Sequence, residues 1–328
     1  MLSYRTILKQ AWKISWKNKI LWFFGFFASL ISFSAEFKVI SRSLNQEMGL
    51  KTLNNFKLFL NTGIFSKDSW FNFIELLKND PASILFLALI LILLIGVSIF
   101  FAWLSTVSQI SIINSVKNII EEKKEKITIK NSIKNGNKKF WPVFLMNIMI
   151  SLITNIIYLL ISFLFVLVII KNQVTATILY GIIFIIFIPI SLFLSFIIKY
   201  AIAYIVIEKE KFTTAIKRGW NLFFNNWLIS IEMAIVLFFI NILAIILISF
   251  LSYIIFFLFF GIALSTTLIA SPAIIFWAIL IIGALIILAI MVLGGAILNT
   301  FQISSWTDLF IKIKDEKKEA KLERIFKK

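Results

Sequence analysis

Residues 142–207 read PVFLMNIMISLITNIIYLLISFLFVLVIIKNQVTATILYGIIFIIFIPISLFLSFIIKYAIAYIVI, a run of 66 residues whose only charges are Lys171 and Lys199. About 20 apolar residues in helical form cross a bilayer core about 30 Å thick, so this run holds two crossings and a turn. Backbone polar groups in hydrocarbon must be satisfied inside the segment, which selects helix. The turn is expected at Lys171-Asn172-Gln173, with spans over 142–170 and 178–206. The 74 residues from Leu228 to Phe301 repeat the pattern, with Glu232 as the sole charge. They have room for two long helices or three short ones. The punctuation at Gly261, Ser265 to Thr267, Ser271 and Pro272 favours a single turn and two spans. Shorter apolar runs over 20–35 and 82–104 bring the count to six.

The distribution of charge orients these spans. The chain carries 33 Lys+Arg against 16 Asp+Glu, and cytoplasmic flanks of membrane helices are enriched in Lys and Arg. With six spans, 25 of the basic residues fall in segments 1–19, 105–141, 207–227 and 302–328, and 7 in segments 36–81, 171–177 and 261–272. Both termini are therefore expected in the cytoplasm; a seventh span would export the basic tail. A signal peptide cleaved near Ser32-Phe33-Ser34 is the other reading of the N-terminus, although a 19-residue leader is long for its basic region. The chain has no His and no Cys, which removes imidazole bases, thiolate nucleophiles, disulfides and Cys/His zinc sites. No cofactor, metal or nucleic-acid partner is expected, and no catalytic motif is found. The outer-loop acids Glu36, Glu47, Asp68, Glu75 and Asp80 lack ligand spacing.

An internal repeat runs through the chain. Residues 7–18, ILKQAWKISWKN, align without gaps on 215–226, AIKRGWNLFFNN, so that Lys9 meets Lys217, Ala11 meets Gly219, Trp12 meets Trp220 and Asn18 meets Asn226. A middle copy, SIKNGNKKFWP at 132–142, matches through Ile133, Lys134, Gly136 and Trp141. Each copy precedes an odd-numbered span. The expected architecture is all-α: a transmembrane bundle of six helices in three pseudo-repeated units over 1–122, 123–208 and 209–314, each a basic amphipathic interfacial helix followed by a two-span hairpin. In the first copy Tyr4, Ile7, Leu8, Ala11, Trp12 and Ser15 form one stripe, while Arg5, Lys9, Lys13 and Lys17 recur every four residues on another face. In the third, Phe212, Ile216, Gly219, Trp220, Phe223 and Trp227 oppose Lys217, Arg218, Asn221 and Asn225.

Indole rings favour headgroup depth, and each basic residue near an anionic surface contributes about 1 kcal/mol. Lys9, Lys13, Lys17, Lys134, Lys217 and Arg218 are therefore candidate contacts for anionic phospholipid headgroups. Topological anchoring explains the same residues without a lipid-sensing role. The outer segment 36–81 reads as one or two short amphipathic helices, and the tail 306–328 as a solvated helix extension.

Charges and polar faces at membrane depth mark the other candidate site. At about 1.5 Å per residue, Lys199 lies about 12 Å from the inner end of span four and Glu232 about 7 Å from the inner start of span five. The two either pair or snorkel to the surface. Asn147, Ser151, Thr154, Asn155, Tyr158 and Ser162 line one face of span three, and Ser191, Ser195 and Lys199 recur four apart on span four. Such faces either hydrogen-bond helix to helix or line a wet cavity. Asn241, and the small-residue pairs Gly25 with Ser29 and Gly294 with Gly295, are weighed in the same way.

The opening YRTILKQAWKISWKNKILWFFG and the closing FQISSWTDLFIKI, with three basic segments each followed by a hairpin, resemble a group of uncharacterised bacterial six-span proteins. That group includes the membrane domain attached to some glycerophosphoryl diester phosphodiesterases. The resemblance implies the fold, location in the bacterial plasma membrane, and a role in envelope or lipid maintenance. The phosphodiesterase activity of that family belongs to a separate soluble barrel using His and carboxylates, so no catalytic residue carries over to this sequence. Function is therefore read as non-enzymatic and membrane-organising or lipid-associated. The competing reading is a transporter or lipid translocator using a polar seam on spans three to five.

Overall fold

The computed structural model describes residues 3–30, 81–123, 127–169, 173–268 and 273–314, and among these no strand occurs. The described helices, numbered in chain order, are α1 (Tyr4–Lys17), α2 (Ile20–Ser29), α3 (Pro81–Ile120), α4 (Ile129–Asn137), α5 (Phe140–Ile169), α6 (Gln173–Ile207), α7 (Phe212–Asn225), α8 (Trp227–Leu268) and α9 (Ala273–Ile313). Four of these segments are long and apolar enough to cross a membrane: Leu85–Ile120, Pro189–Ile207, Trp227–Thr267 and Ala273–Ile313. A fifth is reached if α4 and the following Phe140–Ile156, bent by 72° at their junction, count as one crossing. The chain is thus a helical, membrane-embedded protein. The outer segment to residue 80, the turn residues 170–172, residues 31–35 of the first apolar run and the tail from residue 315 lie outside the described residues.

The chain divides into two compact units, Met1–Ser32 with Leu104–Phe144 and Phe196–Lys328, and Phe33–Trp103 with Leu145–Ser195. In the first unit, α1 and α2 both pack on α9. Ile14, Leu21, Phe24, Ala28, Ile112 and Val116 form one apolar cluster, with Ile303 packed against it. Gly25 is the contact residue between α2 and α9. A Cβ there would overlap the Thr300 Oγ1 and the Ala296 carbonyl, so only glycine permits this approach. The close approach brings polar side chains within reach of backbone. Asn299 donates to the Gly25 carbonyl at 2.8 Å and Thr300 to that of Leu21 at 3.0 Å.

α8 and α9 form an antiparallel hairpin. Gln302 bonds Asn241, Gly294 lies against Ile248 and Gly283 against Phe259, so the register is kept over about 18 residues of each helix. At about 1.5 Å per residue, the 42-residue α8 is about 63 Å long, twice the hydrocarbon core. From Phe238 to Leu264 its large side chains are mostly exposed, which suits lipid contact. The helix continues past Gly261 to Leu268, because a glycine facing open space does not by itself end a helix that hydrocarbon stabilises.

A second difference concerns α3, which continues to Ile120 rather than ending near 104. The residues beyond Leu104 look polar, but Ser105, Thr106, Ser108, Ser111 and Ser115 are buried. Their small hydroxyls are absorbed by close packing: Ser105 donates to the Phe27 carbonyl at 2.6 Å and Ser111 to the Ser132 carbonyl at 2.9 Å.

In the second unit the described part of α3 presents apolar side chains outward from Leu85 to Phe101. The side chains of residues 157–188, including Tyr158 and Ser162 of the expected polar face, lie outside those described.

Candidate functional site

Glu232 and Lys199 occupy the first unit together, on α8 and α6, at a level fixed by a direct tie between these helices. The buried Tyr200 hydroxyl and Ser230 Oγ lie 2.7 Å apart, one residue from Lys199 and two from Glu232. Glu232 is buried and accepts the hydroxyl proton of Tyr4, the first residue of α1. The ammonium of Lys199 lies 4.6 Å from the centre of the Trp306 ring and 5.7 Å from that of Phe196. An ammonium over an indole face is attracted by the ring quadrupole, by about 0.5–2 kcal/mol depending on desolvation. Three segments far apart in sequence, around Tyr4, 196–232 and Trp306, thus converge on one polar region. Its inventory of a cation, a carboxylate, two phenols and an indole suits recognition of a charged headgroup and offers no nucleophile-and-base pair.

The interfacial helices surround this region. In α1 the buried face is Ile7, Ala11, Ile14 and Ser15. It docks on protein, whereas Trp12 and Trp16 stack on one another with centroids 5.4 Å apart and remain 53% and 52% exposed. Trp12 therefore does not share the buried stripe expected for it; indole and lysines stand together on the outward side, where Lys9, Lys13 and Lys17 are exposed. α7 repeats the arrangement, with Ala215, Gly219, Leu222 and Phe223 buried and Trp220, Lys217 and Arg218 exposed. In α4 Ser132 and Gly136 are buried, and Lys134 is exposed, as is Trp141 just beyond the helix.

Glycine sets two of the crossings. A Cβ on Gly136 would come within 2.8 Å of Val107 Cγ1 and 2.9 Å of its carbonyl; one on Gly219 within 2.8 Å of the Ile197 carbonyl and 2.9 Å of the Ala201 nitrogen.

Charge pairs cluster at the helix ends of the same unit. Lys117 donates to the carbonyl of Ile207, the last residue of α6, at 2.8 Å, capping a C-terminus whose dipole favours a cation. Lys314 meets Glu208 at 2.5 Å and Arg218 meets Glu210 at 2.7 Å. The hydrogen bond from Lys123, helped by the nearby Lys117 and Lys314 charges, holds the Glu121 carboxyl below its usual range against a smaller opposing effect of burial. Asp308 is fully buried and bonds Lys312 at 2.8 Å, and Lys312 also reaches Gln10 of α1 at 3.3 Å. Among the described residues, Asp308 Oδ1 and the hydroxyls of Ser15, Ser108 and Ser305 are buried without a hydrogen-bond partner.

The other candidates from the sequence are placed differently. Ser151 and Asn155 are exposed and bond each other along α5 at 3.3 Å, Asn147 is half-buried, and Ser195 is buried. All four belong to the second unit, apart from Lys199 and Glu232. Sequence reasoning missed Tyr4 and Asp308 as polar partners. Asp308 and Lys312 carry an i, i+4 signature, but position in a basic tail made the pair look solvated. No group of three or more His, Cys, Asp or Glu capable of holding a metal occurs among the described residues.

The class these observations define is a polytopic helical membrane protein. Comparison with protein-family models, with curated proteins and with solved structures finds no match to this chain.

Proposed function

We propose that the chain is a six-span protein of the bacterial plasma membrane, with cytoplasmic termini, built from three pseudo-repeated units whose interfacial helices bind the anionic phospholipid of the inner leaflet. Its role on this reading is membrane-organising and non-enzymatic. One observation carries it: in each copy an exposed tryptophan stands beside exposed basic residues, Trp12 and Trp16 with Lys9, Lys13 and Lys17, Trp141 with Lys134, and Trp220 with Lys217 and Arg218. An indole at headgroup depth places neighbouring ammonium groups at phosphate depth. The charge count supports cytoplasmic placement of all three copies. The family resemblance supports the same membrane.

The test is mass spectrometry of lipids retained through gentle purification. Replacing Lys9, Lys13, Lys17, Lys217 and Arg218 by Gln removes up to about 5 kcal/mol of surface attraction at about 1 kcal/mol each. Enrichment of anionic over zwitterionic lipid in the parent, lost in the variant, is expected; equal retention by both abandons the proposal.

A further inference from the structure

The repeat read along the sequence and the repeat read in packing are offset by half a unit. In sequence, each interfacial helix opens a hairpin. In space, Gly136 of α4 seats on Val107 and Ser111 of α3, and Gly219 of α7 on Ile197 and Ala201 of α6, so each of these helices crosses the span before it. The two seats correspond: each is a pair of residues four apart near the end of a span that returns to the basic side. α1 has no span before it in the chain. It lies instead on α9, where Trp12 meets Phe301 with ring centroids 6.1 Å apart and Gln10 meets Lys312.

Ala11, the residue aligned with Gly219, lies between those two contacts and is completely buried. Placing the ends of α3, α6 and α9 over one another without gaps puts Val107 with Ile197 and Ser304, and Ser111 with Ala201 and Asp308. Ser304 and Asp308 fall inside the stretch bracketed by Phe301 and Lys312. The connections agree as well: two residues separate α1 from α2, two separate α4 from α5, and one separates α7 from α8.

We infer that α1 is, in space, the interfacial helix of the last span, so that the chain's first helix and last span close the three units into a ring. This inference rests on the three-unit reading above and adds its order. The packing units are α9-α1-α2, α3-α4-α5 and α6-α7-α8, and the chain termini mark a gap that the other two units bridge with 8 and 4 residues, between Ile120 and Ile129 and between Ile207 and Phe212. A consequence is that α1 has no seat until α9 has been made. Its buried stripe of Ile7, Ala11 and Ile14 waits for the end of synthesis.

The test is a circular permutant starting at Lys19 (after a new initiator Met), with residues 1–18 moved behind Lys328. Residues 314–328 and 1–3 then link α9 to α1, 18 residues that exceed both natural connections, and at about 3.3 Å per residue they reach up to about 60 Å. The permutant is expected to purify as a single species melting within a few degrees of the parent, whereas deletion of residues 1–18 lowers the melting temperature by ten degrees or more. Spin labels on cysteines replacing Gln10 and Lys312 in the unpermuted Cys-less chain are expected to report a single short distance. A permutant as unstable as the deletion overturns the inference even if the short distance is found, because adjacency without equivalence is then all that remains. A long or broad distance overturns it outright. Neither outcome touches lipid retention, so the lipid reading stands or falls separately.

Discussion

Replacing Gly219 by alanine puts a methyl group where α7 crosses α6. The new Cβ would stand 2.8 Å from the Ile197 carbonyl oxygen, 2.9 Å from the Ala201 nitrogen and 3.3 Å from its Cα. All three are backbone atoms of a helix and cannot rotate away. Relief requires α7 to retreat by about 0.5 Å, and overpacking of this kind costs about 1–3 kcal/mol. Alanine returns up to about 1 kcal/mol in helix propensity, so the net loss is about 0–2 kcal/mol for Gly219→Ala and about 3 kcal/mol for Gly219→Leu. Gly261 supplies the control, since it is helical and nothing lies within 4 Å of its would-be Cβ. Gly261→Ala should therefore be neutral or slightly stabilising. The assay is thermal unfolding of detergent-solubilised protein, followed by size-exclusion fluorescence. If both leucine and alanine at 219 melt with the Gly261→Ala protein, the crossing is not tight and the argument from Gly219 is wrong.

Other predictions concern polar ties. Thr300→Val removes bonds to the carbonyls of Leu21 and Ala296 and should cost about 1 kcal/mol, read as a lower melting temperature. Tyr4→Phe takes the hydroxyl from Glu232, and for a bond to a charged group the loss is about 1.5–3 kcal/mol, reduced here by partial exposure of Tyr4; a cysteine at Ile7 should then label faster. Glu121 is depressed in the fold, so its contribution is present above its ordinary value of 4.5 and fades as pH falls through the lower folded value. Glu121→Gln should accordingly melt below the parent at neutral pH and converge with it in acid. Cysteines at Ser151 and Asn155 should react with membrane-permeant maleimide and resist a water-soluble one, since their exposure is to lipid; rapid labelling by the soluble reagent favours the translocator.

Apolar length and charge counting made the helices legible, because hydrocarbon leaves the backbone no alternative. What they blur is the direction a side chain faces. In α1 the spacing placed Trp12 with Ile7 and Ala11, yet Ile7 and Ala11 face protein and Trp12 is exposed, since an apolar side chain satisfies a protein face and a lipid face equally. Periodicity in a membrane chain cannot separate these. The serines of 105–115 misled in the opposite sense. Counted as polar, they suggested the end of a span, whereas each small hydroxyl allows close packing and four of the five are 1% exposed or less.

The repeat alignment found Gly219 and Ala11 as equivalents, and these proved to be buried crossing positions on α7 and α1. The seat of Ala11 was out of reach, because α1 and α9 are separated by 255 residues and no local pattern links Gln10 to Lys312. The Tyr4 bond to Glu232 is hidden for the same reason. Lys199 and Glu232 were legible as rare charges in apolar runs; their aromatic surroundings were not.

The account's central claim is that the three interfacial helices hold their indoles and lysines at headgroup depth in one leaflet. Quenching by lipids brominated at defined acyl positions measures that depth directly, in variants that keep only Trp12, only Trp141 or only Trp220, the other indoles replaced by Phe. The account predicts that all three are quenched best by the shallowest bromine and weakly by one near the bilayer centre. Deep quenching of any of them, or none at all, would contradict it.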